Sequence, residues 1–320
     1  MSISDPKTLQ IAVIMGGPSA EADVSRSSGK EVSKALLDSG YQVQGIELNQ
    51  QLTSKLLALQ PDVVFPALHG PVGEDGTIQG YLEIMGLPYV GSDVRGSAMA
   101  MDKCVAKSIF RSAALPVAAE VMITANDDQQ QLAAQIRQLG PQVVIKPRAE
   151  GSAIGVMRLS DLAQLDDALE TAMGWTHGAL AEPFIHGREV TVGVLDLYAQ
   201  TPQTMPAIQI ETASGQWYDF SNRYAAGKSE HLIPAPLPTA VLEELQRTAL
   251  VAHQSLGLRD LSRSDFLVDD TDRIILLETN TLPGMTPTSL YPDGAAALGY
   301  DFPQLMHALV QSALRRGRTQ

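Results

Sequence analysis

The sequence is poor in several residue types, and each shortage excludes a class of protein. Its 320 residues include one cysteine, Cys104, so no intrachain disulfide can form, and the reducing cytoplasm is the expected compartment. Basic residues are outnumbered, with 23 Lys and Arg against 36 Asp and Glu, and the formal net charge is -13. Nucleic-acid-binding proteins normally carry a basic face. We therefore expect no nucleic-acid partner, although a locally basic cleft could hold an anionic nucleotide.

Long apolar runs are also lacking. The run from Ile11 to Met15 is too short to cross a membrane or to form the core of a signal peptide, and no basic segment precedes it. We therefore expect no membrane partner. No repeat or low-complexity tract is visible. The composition, 44% hydrophobic and 18% charged, is that of a globular protein, and the length suits two or three domains.

One stretch near the C-terminus places acids in otherwise apolar strands. Asp265 lies in a first predicted strand, and Glu278 and Asn280 share one face of a second strand, because strand side chains alternate. These three side chains should converge beside Arg263. Oxygen ligands without His or Cys suit Mg²⁺, which uses one or two carboxylates together with nucleotide phosphates. The competing interpretation is a solvated strand end with ordinary turn acids.

The N-terminal third alternates strands with helices. Strands are predicted over residues 9–15, 41–48 and 62–67, and a helix over about 21–39. This alternation predicts a parallel, doubly wound sheet, whose ligands bind at the carboxyl ends of strands. Two such ends, at 16–21 and 69–76, are rich in glycine and polar residues. After the second of them, Thr77 is expected to cap a helix.

Two side chains at these strand ends have two interpretations each. Glu21 could hold a substrate ammonium group, or it could cap the helix that follows, where the helix dipole favours a carboxylate. His69 could contact a substrate or act as a structural hydrogen-bonding group. The pair Gly16-Gly17 does not form a GxGxxG fingerprint, so a dinucleotide site is not expected.

Lysines and a glycine loop mark the middle of the chain. A domain boundary is predicted near residues 97–101, followed by a helix over 102–114 that carries Lys103 and Lys107. A strand ends in Lys146 and opens onto a loop with two glycines. Glycine lets backbone amides approach a phosphate, and the ammonium supplies a positive charge. The spacing is not the Walker pattern, and an ordinary hairpin is equally compatible with the loop.

The remaining chain carries further acids and one irregular segment. Glu182 and Glu189 flank a predicted turn, where each in isolation is interpreted as a solvated acid. The polar segment 221–231 is a long irregular loop within a compact domain, and its composition suits a lid. Elsewhere, helices are predicted over 160–173, 238–256 and 302–315, and strands over 179–185, 189–197, 205–211 and 217–220.

Several separated motifs, in this order, resemble those of D-alanine–D-alanine ligases, members of the ATP-grasp superfamily. The matching segments are residues 16–25, 67–80, 101–103, 144–147, 263–265 and 278–286. The resemblance extends from about residue 11 to the closing helix, which is essentially the whole chain. It implies an α/β fold with an α+β lid, in three domains: an N-terminal substrate domain (1–101), a central ATP-grasp lid domain (102–184) and a C-terminal catalytic domain (185–320).

The resemblance also implies an activity. Relatives join two D-alanine molecules through a D-alanyl phosphate, with ATP as the phosphoryl donor, and the product serves peptidoglycan synthesis. Two Mg²⁺ ions, or Mn²⁺, would be held by Asp265, Glu278 and Asn280. A homodimer formed through the N-terminal domain is also implied. The D-configuration of the substrates rests on the resemblance alone.

Each matching position acquires a role from the resemblance. The implied nucleotide-binding residues are Lys103, Lys146, Glu150, Gly151, Ser152, Glu182, Phe184, Ile185 and Glu189. The implied substrate-binding residues are Glu21, His69, Arg223, Ser289 and Leu290. Arg263 and the Gly284 amide would stabilise the tetrahedral oxyanion. Glu21, Ser152 and Tyr224 would form a hydrogen-bonded set that assembles on closure.

Four positions bear on how far the resemblance extends. Arg223 stands where Lys is common, Ala153 where a second Ser is frequent, and Pro183 where a long polar residue is often found. Ala153 puts one hydrogen bond to a phosphate in doubt, and Pro183 puts one contact to the base or to a phosphate in doubt. Tyr224 is usually replaced in relatives that make the D-alanyl-D-lactate ester, so its presence favours the dipeptide.

Two other functions remain open. One is an ATP-grasp ligase for a different small amino acid or hydroxy acid. The other is a catalytically silent nucleotide-binding protein. The complete set of Arg263, Asp265, Glu278 and Asn280 argues against a silent protein, because such a relative would be expected to have lost at least one of them.

Overall fold

A computed structural model describes residues 6–212 and 229–317, which form three β-sheets with helices packed on them. Arg223 and Tyr224 lie outside the described residues, as does the strand predicted over 217–220. Within the described ranges, no helix has the length and apolarity needed to cross a bilayer.

The first sheet is parallel, as the alternating pattern predicts. Its strand order is β2-β1-β3, and both neighbours of β1 run parallel to it. The strands are β1 (Gln10–Met15), β2 (Gln42–Glu47) and β3 (Val63–Pro66). The four central residues of β1 are fully buried, which explains why this strand has a continuous apolar run. Its helices are α1 (Ala22–Asp38), α2 (Leu52–Leu59) and α3 (Thr77–Ile84).

Two consecutive helices connect the first sheet to the second. They are α4 (Val94–Met101) and α5 (Lys103–Ser112). The segment predicted as a boundary, 97–101, is therefore helical. Asp102 separates the two helices because it adopts an extended conformation and accepts hydrogen bonds from the amides of Cys104 and Val105, which is the geometry of an N-cap.

The second sheet is antiparallel, in the order β4-β7-β5-β6. Its strands are β4 (Val121–Ile123), β5 (Val143–Pro147), β6 (Met157–Leu159) and β7 (Ala179–Pro183). The helices α6 (Gln129–Arg137) and α7 (Leu165–Met173) bury their apolar faces against it. The helix predicted over 160–173 begins late, because a short 3₁₀ turn over Leu162–Gln164 precedes it.

The third sheet is also antiparallel, in the order β11-β10-β8-β12-β13, with β9 paired to β8. Its strands are β8 (Arg188–Asp196), β9 (Gln203–Thr204), β10 (Ile208–Thr212), β11 (Ser229–Leu232), β12 (Asp260–Val268) and β13 (Ile274–Asn280). The accompanying helices are α8 (Thr239–Ser255), α9 (Leu290–Ala297) and α10 (Phe302–Arg316).

The first and third sheets share one hydrophobic core. Val13 and Leu36 from the N-terminal part pack in the same cluster as Tyr291 and Leu309 from α9 and α10. A buried carboxylate strengthens this connection: Asp260 accepts from the Gly91 amide at 2.8 Å and from the Arg316 guanidinium at 2.7 and 2.8 Å. The edge of the first sheet is thereby held against the third sheet.

One predicted cap is wrong. Gly76, with a φ of 93°, occupies the N-cap position of α3, and Thr77 is already the first helical residue. The Thr77 amide instead donates to Asp75 at 2.9 Å. A left-handed φ favours glycine, so the backbone turn at Gly76 decides where the helix begins.

Candidate active site

A cavity of about 550 Å³ lies between the second and third sheets. Most of the predicted site residues line it. They are Lys103, Lys146, Glu150, Gly151, Ser152, Glu182, Phe184, Ile185, Glu189, Arg263, Asp265, Glu278, Gly284, Ser289 and Leu290. A cleft of this volume with a few converging charged groups is typical of a small-molecule site.

The β12–β13 hairpin contributes the acids of the cavity. Asp265 pairs directly with Glu278 across the two strands, and Arg263 pairs with Asn280. Residues directly opposite each other project from the same face, so the two carboxylates lie side by side. A β-bulge follows Asp265, and bulges commonly re-aim side chains at active sites.

Both carboxylates have cationic partners. Arg263 contacts Asp265 through two nitrogens, at 2.8 and 2.7 Å, and the Thr191 hydroxyl donates to the same acid at 2.7 Å. Lys103 Nζ lies 3.2 Å from Glu278. Asn280 Oδ1 accepts from the Leu282 amide at 2.9 Å.

The chemistry of this donor set fits a hard cation. Two carboxylates and an amide oxygen lie on adjacent strands, and the set includes no thiolate or imidazole. The part of the chain that the structure describes forms no metal-type cluster of three or more His, Cys, Asp or Glu side chains. A cation held by Asp265 and Glu278 would need further oxygen ligands, which Mg²⁺ commonly takes from nucleotide phosphates.

Lys146 also lines the cavity and pairs with Glu182 at 2.7 Å. Burial would lower the pKa of Lys146, but the neighbouring charges of Glu182, Glu278 and Glu120 raise it. Burial likewise opposes ionisation of Glu182, yet Lys146 and Lys107 lower the pKa of that carboxyl. Both groups are consequently ionised at neutral pH.

The glycine loop is held in an unusual backbone conformation. Ser152 and Ala153 have φ values of 49° and 57°, in the left-handed region that non-glycine residues seldom adopt. Lys103 Nζ donates to the Glu150 carbonyl at 2.6 Å, which connects the loop to the start of α5. The Ile154 amide donates to the Gly151 carbonyl at 3.0 Å, so Ser152 and Ala153 are the two central residues of a tight turn. Positive φ values at both central residues also occur in ordinary hairpin turns, so this conformation fits a ligand-binding loop and a hairpin alike.

Glu21 contacts the glycine loop and does not cap its own helix. The Ser152 hydroxyl donates to Glu21 Oε1. The Glu21 side chain makes no capping hydrogen bond to α1, although it occupies the N-cap position and is 5% exposed. Of the predicted Glu21–Ser152–Tyr224 set, two members are therefore in contact, and Tyr224 lies outside the described residues.

His69 is buried behind the site. Its Nε2 lies 3.1 Å from the Ser28 hydroxyl, which also accepts from the Met285 amide at 3.2 Å. Burial lowers the pKa of His69 to about 4, so the imidazole is neutral at physiological pH. The ring supports the segment that carries Gly284, and a substrate contact for it stays a prediction.

Glu74 is a site-adjacent acid to which the sequence assigns no role. It is 8% exposed and accepts from the Gly70 amide at 2.6 Å. Burial and the negative charge of Glu21 raise the pKa of Glu74 to about 8. Its position within the glycine-rich segment 69–76, which is part of the matching segment 67–80, is the signal that could have marked it.

The end of the cavity near Gly284 is built around Ser289. Its Oγ accepts from the Thr286 amide at 3.0 Å and lies 2.8 Å from the Thr286 hydroxyl. A Cβ placed on Gly284 would lie 2.9 Å from that same Oγ, so a larger residue would displace Ser289. Leu290 begins α9, and its amide belongs to a helix N-terminus, which favours an anion.

An aromatic pair, Phe184 and His186, also lines the cavity. Arg158 lies 3.7 Å from the ring centroid of Phe184, and His186 meets that ring edge-on at 4.7 Å. The resemblance places the adenosine pocket at Phe184 and Ile185, but it assigns nothing to Arg158. Sequence reasoning also missed Lys107, which contacts Glu182.

Comparison with known families agrees with this geometry. A family model described as the D-Ala-D-Ala ligase C-terminus matches residues 109–311, more than half of the chain. A second, described as the D-Ala-D-Ala ligase N-terminus, matches residues 46–92. The chain belongs to the D-alanine–D-alanine ligase family.

Individual members of the D-alanine–D-alanine ligase family match over nearly their full length. The D-alanine–D-alanine ligase of Acidiphilium cryptum is 45% identical over 314 residues, covering 96% of this chain and 99% of the relative. That of Methylobacterium radiotolerans is 42% identical, covering 95% and 97%. The solved D-alanine–D-alanine ligase from Bacillus anthracis, complexed with ATP, is 31% identical and superimposes with a TM-score of 0.83, covering 97% of this chain and 98% of that one.

Proposed function

We propose that this protein is an ATP-dependent, ADP-forming ligase that joins two D-alanine molecules into D-alanyl-D-alanine for peptidoglycan precursor synthesis. One observation carries the proposal. A single cavity collects Lys103 and Lys146 with Asp265, Glu278 and Arg263, while Glu21 reaches the glycine loop from the first sheet through Ser152. Phosphoryl transfer needs this clustering, because its catalysis is mostly positioning and charge stabilisation.

The nucleotide is ATP, held between the second and third sheets. Lys103 and Lys146 neutralise its phosphates, and the loop over residues 150–154 closes over them. Glu182, Phe184, Ile185 and Glu189 form the adenosine pocket, with Glu189 on the ribose. The raised pKa of Lys146 keeps its ammonium charged, as contact with a phosphate requires.

Magnesium is the implied metal, with Mn²⁺ as a substitute, and Asp265, Glu278 and Asn280 are the residues that would hold two ions. Bound there, the cations would neutralise negative charge on the transferring phosphoryl group. In the structure the two carboxylates are balanced by Arg263 and Lys103, so the acids are arranged to meet positive charge.

The first chemical step forms an acyl phosphate. A carboxylate oxygen of the first D-alanine attacks the γ-phosphorus, the bond from that phosphorus to the β–γ bridging oxygen breaks, and ADP leaves. Glu21 holds the ammonium group of this D-alanine. Its position at the glycine loop brings the amino acid next to the transferring phosphate, and such proximity supplies much of the rate.

The second step forms the peptide bond. The amine of the second D-alanine attacks the carbonyl carbon, its proton is lost, and phosphate leaves as the tetrahedral intermediate collapses. Arg263 and the Gly284 amide stabilise the oxyanion. The carboxylate of the second D-alanine is held by Arg223, Ser289 and the Leu290 amide, at the N-terminus of α9.

Closure protects the acyl phosphate from water. We place this role on Glu21, Ser152 and Tyr224, which join the N-terminal part, the glycine loop and the polar segment before β11. The division into domains at 1–101, 102–184 and 185–320 is part of the same proposal. It is supported by the three sheets, each of which falls within one of these ranges.

Two further properties complete the proposal. The protein forms a homodimer through its N-terminal domain, as is usual in the family, and it acts in the cytoplasm. The single half-buried Cys104 is compatible with a reducing compartment.

The function is tested by giving the purified protein MgATP with D-alanine, with L-alanine, or with D-alanine plus D-lactate at several pH values. Phosphate release and product mass are followed. We expect phosphate release coupled to D-alanyl-D-alanine. Robust turnover only with L-amino acids or a hydroxy acid would establish the alternative, a ligase for another acceptor. Absence of turnover with every acceptor would favour a silent nucleotide-binding protein.

A further inference from the structure

A row of five alternating charges runs inward from the surface to the cavity. Its members, in order, are Arg111, Glu120, Lys107, Glu182 and Lys146. Lys107 Nζ lies 2.7 Å from Glu120 and also contacts Glu182. Lys146 Nζ lies 2.7 Å from the other Glu182 oxygen. Both oxygens of Glu182 are therefore bracketed by ammonium groups.

Lys107 is the most deeply buried member, with 1% of its side chain exposed. It lies on α5 one turn after Lys103, but only Lys103 lines the cavity. A buried ammonium group is costly unless it is paired. Its placement here therefore needs a reason beyond packing, because a methionine would fill similar space without a charge.

The charge count supplies that reason. Glu120 is balanced by Arg111 at the surface end. Glu182 carries one negative charge between Lys107 and Lys146, so this inner trio has one positive charge in excess. Without Lys107, the charge of Lys146 would be cancelled by Glu182. The excess charge borders the cavity because Lys146 and Glu182 both line it.

We propose that Lys107 is a positioning residue that holds Glu182 and thereby leaves the positive charge of Lys146 available to nucleotide phosphates. The inference rests on the proposed nucleotide site. It predicts that removal of Lys107 weakens the binding of a ligand more strongly when the ligand carries more phosphate charge, although Lys107 contacts no ligand itself.

The test compares Lys107→Met with Arg111→Met, a matched cation on the same helix that contacts Glu120 but not Glu182. Dissociation constants are measured for adenosine, ADP and a non-hydrolysable ATP analogue, each with Mg²⁺. We expect Lys107→Met to weaken binding of ADP and of the analogue by about tenfold or more, and binding of adenosine by a clearly smaller factor that reflects the proposed contact of Glu182 with the nucleoside. Arg111→Met should change all three by less than about twofold, because the Arg111 side chain is 43% exposed and water screens its charge.

Kinetics provide a second readout. Lys107→Met should raise KM for ATP more than it lowers kcat. The charge of Lys107 stabilises the bound nucleotide in the ground state and in the transition state by similar amounts, so its loss mainly weakens binding. Equal losses for adenosine and ADP would overturn the proposal, as would nucleotide affinities equal to those of the wild type or an Arg111→Met variant with the same defect. Wild-type protein that binds no adenine nucleotide would instead refute the proposed function, and the inference with it.

Folding is checked by circular dichroism before binding is measured. If the methionine variant does not fold, Lys107→Gln and Glu120→Gln carry the same test. Lys107→Gln should weaken ADP selectively over adenosine. Glu120→Gln removes the outer acid from Lys107, so ADP should bind at least as tightly as to the wild type. A selective loss of ADP affinity in Glu120→Gln would contradict the charge argument.

Discussion

Asp265 and Glu278 lie opposite each other on neighbouring strands, and each contacts a cationic side chain. Two carboxylates on one face repel each other, and they would also repel the phosphates of a bound nucleotide. Their cationic partners Arg263 and Lys103 offset only part of this repulsion. A divalent cation would resolve this conflict. At the scale of single residues, the site is thus organised by pairs of opposite charges.

Glu278→Gln should abolish ligation, with a fall in kcat of about a thousandfold or more, because an amide cannot replace the charge of a metal-ligating carboxylate. The thermal midpoint should stay within about 3 °C of the wild type, since the change is isosteric. A coupled assay for ADP release measures the activity. The matched control is Asp270→Asn, an exposed acid in the turn of the same hairpin. An active Glu278→Gln enzyme would contradict the metal assignment.

Glu74 predicts a dependence of stability on pH. Its folded-state pKa of about 8 lies above the ordinary 4.5, so between these values the folded state binds more protons than the unfolded state. The stability contribution is therefore complete below about pH 4.5 and is lost as the pH rises through 8. Glu74→Gln should remove this pH dependence, which for a shift of this size amounts to at most about 5 kcal/mol.

Urea unfolding of Glu74→Gln and the wild type at pH 5.5, 7 and 8.5 measures the effect, with the exposed Glu170→Gln as a control. As the pH increases, the free energy of unfolding of the wild type should fall relative to that of Glu74→Gln. Parallel pH profiles would show that Glu74 ionises normally.

At the scale of elements, the start of α5 and the loop after β5 are joined by one ion pair. Arg148 contacts both Asp102 oxygens through Nε, at 2.7 and 2.8 Å, and Nη2 lies 2.6 Å from one of them. Asp102 also caps α5. One side chain therefore both begins the helix that carries Lys103 and holds the loop that carries Ser152.

Substitutions of Asp102 separate these two roles. Asp102→Asn keeps a good cap but loses the charge, and it should lower the free energy of unfolding by about 0.5–1 kcal/mol. Asp102→Ala loses both roles and should cost about 1–2 kcal/mol. Denaturant unfolding checks the order. Asp128 caps α6 through the Gln131 amide, so Asp128→Asn should be nearly neutral. Equal effects of Asp102→Asn and Asp128→Asn would mean that the ion pair adds nothing.

At the scale of the whole molecule, the cavity depends on elements far apart in the sequence. The shared core of the first and third sheets holds Glu21 near a loop of the second sheet. The N-terminal part also exposes a large apolar side chain: Ile84, in the last turn of α3, is 89% exposed. Single exposed apolar residues are ordinary on a protein surface, so a place for Ile84 in an interface follows only from the proposed homodimer.

Ile84→Lys should raise the dissociation constant of the proposed homodimer by about tenfold or more, because a charge would be buried at the contact. Sedimentation velocity over a concentration series measures it. Met122→Lys is the control, since Met122 is 49% exposed on β4, outside the first sheet. A dimer insensitive to Ile84→Lys would place the interface elsewhere, and a monomeric wild type would contradict the homodimer.

The sequence by itself determined the local elements and the chemical inventory. Strand periodicity predicted the parallel first sheet and the β12–β13 hairpin, and residue types alone indicated phosphate-binding lysines and a hard-cation site. Strands, helices and residue types depend on residues that are close together in the sequence, and the spacing of apolar residues is therefore enough to predict them. The family resemblance then assigned the roles of single residues, and those assignments stay predictions to be tested by the variants above.

Only the tertiary structure decided which side chains meet. Glu21 contacts Ser152 across 131 positions, and Lys107 contacts Glu182 across 75. It also decided that His69 and Glu74 are buried, which shifts their pKa values in opposite directions. Desolvation depends on everything packed around a group. A sequence names the group but not its surroundings, and so the charge of the site could be read only after the sheets came together.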